Sequence, residues 1–243
     1  MFKLQLTNYG IIKSAFESIS KIVDEITIIC DSEGIRINAL DRSHITFILM
    51  DLQKTLFDEY QCDTPEKLPI DGTEFLKILK TGKANDTLEL TVDEGNLIVT
   101  FNGDATRTFK IRLIDMSYDN PQPPLLNYPC NINIPSNLIK DYINDMIIFS
   151  DKITFLIDED YLRIRGEGQL GDGEIKYLHG ENINESVKSM FNIPKLQEIF
   201  KASKFSKECT LHIGDDMPIK IEFKLATGDG ELSYLLAPRL EEN

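Results

Sequence analysis

Hydrophobic positions recur along the chain in two successive rounds that share one order of elements. The first round opens with a helical pattern over residues 10–25, in which Phe16 and Ile19 fall on one face. A second helix is predicted over residues 74–80, with Asp71 at its start. Alternating runs typical of strands fill the rest of the round. These runs cover residues 26–31, 34–40, 43–51, 87–92, 97–102 and 106–114.

The same order restarts in the second half of the chain. A helix is predicted over residues 135–149, with an apolar stripe from Leu138 to Ile147, and a short helix over residues 193–201 has Pro194 in its first turn. Strand patterns cover residues 152–158, 161–166, 174–179, 209–213, 219–225 and 231–236. The repeat predicts an α+β protein of two topologically equivalent domains, each with two helices packed on mostly antiparallel sheets.

A proline-rich stretch separates the two rounds. Its four prolines, at positions 121, 123, 124 and 129, remove backbone donors and exclude a helix or a central strand. The stretch also carries Leu125, Leu126 and Tyr128, which a purely solvated spacer does not need. We therefore expect an N-terminal domain over residues 1–115, a connector over residues 116–129 and a C-terminal domain over residues 130–243.

Composition narrows the class of protein. The formal net charge of −14 argues, taken alone, against a nucleic-acid partner, so any such partner must meet a local basic surface. Four scattered cysteines without a C-x-x-C pair favour buried free thiols over disulfides or zinc. No apolar run is long enough to span a bilayer, and residues 1–4 do not begin a cleavable signal, so we expect an intracellular protein.

Lysines concentrate on the predicted outer faces of the helices. On the second helix, spacings of four and three align Thr73, Lys77 and Lys80, and on the fourth the same spacings align Gln197, Lys201 and Lys204. Lys83 and Lys207 follow those helices, while the first and third offer Lys13, Lys21 and Lys140. One interpretation is an ordinary solvated surface. The other is a diffuse phosphate-facing layer without base readout, since no basic run or recognition helix is present.

Carboxylate pairs raise the alternative of an enzyme. They occur at residues 31/33, 93/94, 158–160 and 215/216, where they would hold magnesium or act as acid and base. All four fall at equivalent hairpin turns of the repeat, where Asp serves turn geometry. His44, His179 and His212 share no ligand spacing. We expect neither a catalytic site nor a metal or cofactor.

The strongest family-like motifs are found in five stretches, residues 41–45, 60–63, 75–80, 168–176 and 236–242. These stretches resemble one known family, the archaeal and eukaryotic sliding clamps called PCNA. Residues 82–88 and 105–109 are similar to the archaeal branch. The resemblance implies a non-catalytic clamp that encircles duplex DNA as a ring-forming homotrimer, with sheets outside and helices inside. It would tether DNA polymerase for processive synthesis and recruit replication and repair enzymes.

The resemblance also implies three sets of site residues. The DNA-facing set is Lys13, Lys21, Lys77, Lys80, Lys83, Lys140, Lys201, Lys204 and Lys207. The trimer contact would pair residues 108–113 with residues 174–178 of a neighbour, through Phe109, Ile111, Ile175 and Tyr177. A pocket for partner peptides would be lined by Leu40, His44, Ile45, Phe47, Leu125, Leu126, Met217, Pro218, Leu235, Ala237 and Pro238.

The partners implied are duplex DNA, bound without sequence preference, together with DNA polymerase, the clamp loader, flap endonuclease and DNA ligase. A heterotrimer subunit or a checkpoint-type clamp is the alternative, because the internal repeat fits those proteins equally well. The expected location is the cytoplasm of an archaeal cell, or the nucleus if the host is eukaryotic.

Overall fold

The structure is a computed structural model that describes residues 1–115, 121–183 and 185–239. The chain forms two compact units, each of which is described by itself. The first unit comprises Met1–Arg42, Ile48–Gln122 and Leu225–Leu232; the second comprises Ser43–Phe47, Pro123–Lys224 and Ser233–Asn243. Residues 116–120 of the expected connector and residues 240–242 of the family-like ending lie outside the described residues.

Helices and strands follow nearly the same order in the two halves of the chain, with one additional strand in the first half. The helices are α1 (Gly10–Ile22), α2 (Gly72–Leu79), α3 (Ser136–Met146) and α4 (Ile193–Ile199), with short 3₁₀ helices at Lys54–Leu56 and Phe200–Lys204. The strands of the first half are β1 (Phe2–Leu6), β2 (Glu25–Asp31), β3 (Gly34–Leu40), β4 (Thr46–Gln53), β5 (Glu59–Cys62), β6 (Glu66–Asp71), β7 (Thr87–Asp93), β8 (Asn96–Asn102) and β9 (Thr106–Arg112). Those of the second half are β10 (Cys130–Pro135), β11 (Lys152–Ile157), β12 (Tyr161–Gly168), β13 (Gly171–Leu178), β14 (Val187–Asn192), β15 (Glu208–Ile213), β16 (Ile219–Lys224) and β17 (Gly230–Leu236).

The first unit packs helices α1 and α2 against antiparallel strands. One sheet has the order β5-β1-β7-β8-β9, and a second set runs β4-β3-β2-β6. Alternation in β1 buries Phe2, Leu4 and Leu6, as expected for a strand with one face in a core. The rings of Phe16 and Phe75 meet edge-on with centroids 4.7 Å apart, and this contact joins the two helices over the sheets.

The second unit repeats this plan. Its strands run β10-β15-β16-β17 and β13-β12-β11-β14. In β10, Cys130, Ile132 and Ile134 are buried and alternate with exposed residues. Helix α3 buries Ile139, Ile143 and Met146, and helix α4 buries Ile193, Leu196 and Ile199. The predicted α+β class with two like units is confirmed.

Most differences from the predicted elements lie at ends and in short strands. The helix predicted over residues 135–149 ends at Met146, so the apolar stripe does not extend to Ile147, which is exposed. The fourth α-helix ends at Ile199, and Lys201 lies instead on the 3₁₀ helix that follows. Five strands went unpredicted, namely β1, β5, β6, β10 and β14. Residues 121–129 of the connector contain neither helix nor strand, as its prolines indicate.

Candidate functional site

Helices α1 and α2 carry three of the predicted DNA-facing lysines of the first unit, Lys13, Lys21 and Lys77. Helix α2 starts where Asp71 caps it, because the Asp71 carboxylate accepts a hydrogen bond from the Glu74 N–H at 2.9 Å. On α1, Lys21 is exposed in the last turn, whereas Lys13 is half-buried. Both helices therefore offer lysine on a solvated face.

The lysines at the end of α2 differ in their surroundings. Lys77 is exposed, but its ammonium group donates to the Glu74 carboxylate at 2.6 Å. This hydrogen bond raises the pKa of Lys77. Lys80 is the exposed C-cap residue of the helix, and Lys83 is exposed three residues later. Lys77 thus has a counter-ion within its own helix.

In the second unit, two of the predicted lysines lie on a 3₁₀ helix rather than on an α-helix. Lys201 and Lys204 are exposed on the 3₁₀ helix, three residues apart, which is one turn of such a helix. Lys207 is exposed, and its carbonyl accepts from the Ser136 N–H at the start of α3 at 2.9 Å. Lys140 is half-buried on α3. The spacing of four predicted from Gln197 to Lys201 does not lie on a continuous α-helix, because α4 ends between them.

Strand β9 forms an edge of its sheet in the first unit. It pairs with β8 on one side, with Phe109 opposite Val99 and Ile111 opposite Leu97. Phe109 is half-buried and meets Phe101 edge-on, while Ile111 is only 7% exposed. The exposed face of β9 ends in two cations, Lys110 and Arg112.

Strand β13 is the corresponding edge in the second unit. It pairs with β12, and its half-buried face carries Ile175 and Tyr177. Its exposed face begins with Asp172 and Glu174, the second of which is ion-paired to Arg165. The hydrogen bond from Arg165 holds the pKa of Glu174 below its usual range.

Several apolar side chains of the second unit are exposed, which the sequence did not predict. Ile148 is 67% and Leu170 is 88% exposed, and Ile147 and Leu178 are exposed as well. Ile147 and Ile148 follow the last turn of α3, and Leu170 lies in the β12–β13 hairpin. Three consecutive apolar residues at positions 147–149 just beyond a helix end were the available signal, since one short segment cannot bury all three.

Two of the residues predicted for the peptide pocket, Ile45 and Ala237, are joined by a hydrogen bond in the second unit. The Ala237 N–H donates to the Ile45 carbonyl at 2.8 Å, which holds the segment after β17 against the loop over residues 43–47. Arg239 anchors that segment further along, because its N–H donates to the Met190 carbonyl at 2.7 Å and its guanidinium to Asp151 at 3.0 Å. Ala237 and Pro238 are left half-buried at the surface.

The remaining pocket candidates vary in exposure. Phe47 and Leu235 are buried, so they support the surface from beneath. Ile45 and His44 are exposed, and His44 has a left-handed backbone with φ 59°. Leu125 is fully exposed, while three others are half-buried: Leu126, Met217 and Pro218. Leu40 belongs to the first unit, where it is half-buried at the end of β3.

The turn carboxylates serve the backbone. Asp158 accepts hydrogen bonds from the Tyr161 and Asp160 N–H groups, and the first of these does most to lower the pKa of Asp158. Glu94 and Asp216 adopt positive φ in their turns, as acidic and amide residues do in hairpins. Across the described ranges no three His, Cys, Asp or Glu side chains group as metal ligands would.

The cysteines are free thiols, as predicted. Cys30, Cys130 and Cys209 are buried, but Cys62 is only half-buried. Burial raises the pKa of Cys209 to about 12. Among the residues that the structure describes, no helix has the length and apolar character needed to cross a membrane.

Comparison with known proteins covers almost the entire chain. Residues 1–122 match the family model for "Proliferating cell nuclear antigen, N-terminal domain", and residues 123–239 match that for the C-terminal domain. A "DNA polymerase sliding clamp" of Methanobrevibacter smithii is 54% identical over 243 residues, 100% of each chain. Its counterpart from Methanothermobacter thermautotrophicus is 50% identical over 99% of each chain. "DNA polymerase sliding clamp 1" of Thermococcus kodakarensis is 34% identical over 92% of each.

Proposed function

The chain belongs to the proliferating cell nuclear antigen family of DNA polymerase sliding clamps, and from that membership we propose that it closes around duplex DNA as a ring of three identical subunits. The full-length match to both family domains carries this proposal. The ring holds DNA polymerase on its template by topology and catalyses no reaction. It works in the cytoplasm of an archaeal cell.

The lysine-bearing helix faces of both units form the DNA-facing surface. Lysines meet phosphates as mobile point charges, which neutralise the backbone without reading bases. Such contacts are weak at physiological salt, and that suits a ring that must slide. The rest of the chain is strongly acidic, so it repels DNA elsewhere. The residues assigned are Lys13, Lys21, Lys77, Lys80, Lys83, Lys140, Lys201, Lys204 and Lys207.

Ring closure pairs edge β9 of one subunit with edge β13 of the next. One antiparallel register places the cations Lys110 and Arg112 opposite the acids Glu174 and Asp172, respectively, and this is the register we propose. Because the contact joins two different edges, β9 and β13, it is head-to-tail and closes a ring.

Apolar groups complete this contact. Phe109, Ile175 and Tyr177 are half-buried in the isolated chain and become fully buried between subunits. Ile148 and Leu170, exposed beside β13, join the same interface. Ile111 is already buried in its own unit, so its strand contributes mainly backbone hydrogen bonds.

Partner proteins dock on the surface made by the loop over residues 43–47 and the segment after β17. The Ala237–Ile45 hydrogen bond fixes the floor of this surface, and the exposed Ile45 and Leu125 provide apolar walls. A peptide of the form Gln-x-x-aliphatic-x-x-aromatic-aromatic fits because its apolar plug is buried there. DNA polymerase, the clamp loader, flap endonuclease and DNA ligase are the partners proposed.

Retention on circular DNA tests the function directly. Labelled protein, loaded by an archaeal clamp loader onto nicked circular duplex, should stay with the DNA through gel filtration and leave when the circle is cut. Primer extension on the same DNA should give longer products per polymerase binding event. Equal loss from intact and cut circles would contradict a topological ring.

A charge exchange tests the subunit contact separately. Replacing Lys110 and Arg112 by Glu should leave monomers, because acids then face Asp172 and Glu174. Replacing Asp172 and Glu174 by Lys in that same chain should restore the trimer. Sedimentation equilibrium measures the masses. A trimer in the first variant, or no recovery in the second, would show that other strands meet.

A further inference from the structure

A buried ion pair lies beneath the loop that carries Lys83 in the first unit. Asp86 is only 3% exposed, and the Arg107 guanidinium on β9 donates a hydrogen bond to its carboxylate. A second nitrogen of Arg107 donates to the Thr81 carbonyl at 2.8 Å. The guanidinium also lies over the Phe101 ring, 5.4 Å from its centroid. Arg107 therefore ties the chain just after α2 to the sheet.

The backbone of Lys83 is fixed on both sides by this cluster. Its N–H donates to the Asp86 carboxylate at 2.7 Å, and its carbonyl accepts from the Tyr9 hydroxyl at 3.0 Å. The same carbonyl accepts from the Asp86 N–H at 3.1 Å. The side chain of Lys83 remains exposed. Its backbone is thus held rigidly while its ammonium group stays in solvent.

Two glycines leave room for the cluster. A Cβ at Gly103 would overlap the Asp86 carboxylate. At Gly82 a Cβ would overlap the Tyr9 hydroxyl and lie 2.6 Å from the Phe101 ring. At both positions a larger residue would force the neighbouring side chains to shift. The fit shows a built arrangement rather than a chance surface ion pair.

A buried ion pair is a poor source of stability, because taking two charges out of water offsets most of their attraction. Its particular property is geometric, since a planar guanidinium that donates to two separate acceptors, the Asp86 carboxylate and the Thr81 carbonyl, defines distances and angles that apolar packing does not. We propose that Asp86, Arg107 and Tyr9 are positioning residues that hold Lys83 towards duplex DNA, an inference that rests on the DNA-facing role proposed above.

The sign of the charge effect tests this proposal. Asp86→Ala removes a negative charge, so general electrostatics predicts stronger binding to DNA. If Asp86 positions Lys83, binding should weaken instead, and the slope of log K against log salt should fall by up to about 0.9, the loss of one phosphate contact. The probe is a short fluorescent duplex titrated with the intact trimer. The control Asp104→Ala makes the same charge change on the exposed β8–β9 turn and should not lower the slope.

A gentler variant guards against misfolding. Tyr9→Phe removes only the hydroxyl that holds the Lys83 carbonyl, and it should lower the slope in the same direction. Hydrogen exchange should show faster exchange of the Lys83 N–H in Asp86→Ala. Neither variant should lower the slope further in a Lys83→Gln background, because the lysine they position is gone. An unchanged slope in both variants, or an equal loss without Lys83, would overturn the positioning role. An unchanged slope in Lys83→Gln alone would remove Lys83 from the DNA-facing set, and the positioning role with it.

Discussion

The two units carry lysines beyond their second helices by different physical means. In the first unit, the segment after α2 is held by the Asp86–Arg107 pair and by hydrogen bonds to the backbone of Lys83. In the second unit, α4 continues into the 3₁₀ helix Phe200–Lys204, which is held by apolar anchors. Phe200 and Phe205 are 1% and 4% exposed on either side of the exposed Lys201 and Lys204.

The difference shows that one repeated topology does not dictate one way of holding a segment. Polar fixation depends on directed hydrogen bonds and tolerates no rearrangement of its partners. Apolar anchoring depends on burial and is non-directional. The segment that carries Lys83 should therefore be sensitive to changes around the Asp86–Arg107 pair. The segment that carries Lys201 and Lys204 should instead be sensitive to the loss of buried apolar side chains. The four changes that follow test this contrast, from the largest expected effect to the smallest.

Phe205→Ala should have the largest effect. Removing a buried phenyl ring leaves a cavity behind the 3₁₀ helix, and such a change costs about 3–4 kcal/mol. Urea unfolding of the trimer measures the change in stability. Lys207→Ala, on the exposed chain two residues later, is the matched control and should change stability by less than about 0.5 kcal/mol. If Phe205→Ala lowered the free energy of unfolding as little as the control does, burial of Phe205 would not be what holds the 3₁₀ helix.

Gly103→Ala should destabilise the first unit by about 2 kcal/mol. The added methyl overlaps the Asp86 carboxylate, and overpacking of this size costs about 1–3 kcal/mol. The penalty should largely vanish in an Asp86→Ala background, where the methyl has room, so the two changes should be strongly non-additive. Additive costs would mean that Gly103 is needed for its own backbone rather than for Asp86. The unfolding free energies of the two single variants and the double variant give the answer.

Local features of the fold could be predicted from the sequence, whereas contacts between distant residues could not. The helix start at Asp71 and the alternation in β3 are local signals, and the structure confirms both. Strand β1 alternates equally clearly over residues 2–6, so it was accessible and was overlooked. The positions of Asp86 and Arg107 in sequence gave no sign of a pair, because 21 residues separate them and each reads as an ordinary surface charge.

Among the site residues, too, exposed positions could be predicted from local spacing, whereas their contacts and backbone geometry could not. Lysine spacing indicated the exposed positions on α2, but not that Lys77 has Glu74 as a counter-ion. It also placed Lys201 on an α-helix, whereas the backbone tightens to 3₁₀ geometry once Phe200 and Ala202 enter the core. The exposed Ile148 and Leu170 depend on where α3 ends and where a hairpin turns. Tertiary packing decides those features, and a single sequence carries little of that information.

The carboxylate of Glu222 should make the stability of the second unit depend on pH. This carboxylate on β16 is 7% exposed and faces the His212 ring, 3.8 Å away, and the ammonium groups of Lys220 and Lys224. Together they hold the pKa of Glu222 well below its usual range. A depressed carboxyl pKa stabilises the fold above the unfolded value of about 4.3, and this stability is lost as the pH falls below it.

Glu222→Gln should therefore lower stability at neutral pH by about 1.5 kcal/mol, a discounted figure because Lys224 is well exposed. The difference from the unchanged chain should shrink steadily below about pH 4. Urea unfolding across that range measures it. The salt slope for DNA should stay unchanged, since Glu222 is not part of the segment that carries Lys201. A difference that persists in acid would mean that the side chain matters for packing rather than for charge.

Glu74→Gln should have the smallest effect and the opposite sign for DNA binding. In the unchanged chain the Lys77 ammonium group donates to the Glu74 carboxylate at 2.6 Å on the surface of α2, and the substitution removes this negatively charged partner. Stability should change little, because an exposed ion pair three residues apart on a helix contributes little. The salt slope should rise by up to about 0.9, as one more lysine becomes available to phosphate. Glu94→Gln, in the exposed β7–β8 turn, removes the same charge without freeing a lysine and separates this effect from net charge. Equal salt slopes in the two variants would mean that Lys77 binds phosphate even when Glu74 is present. An exposed counter-ion such as Glu74 would then leave the DNA contact of its lysine unchanged, in contrast to the buried Asp86, which is proposed to position Lys83.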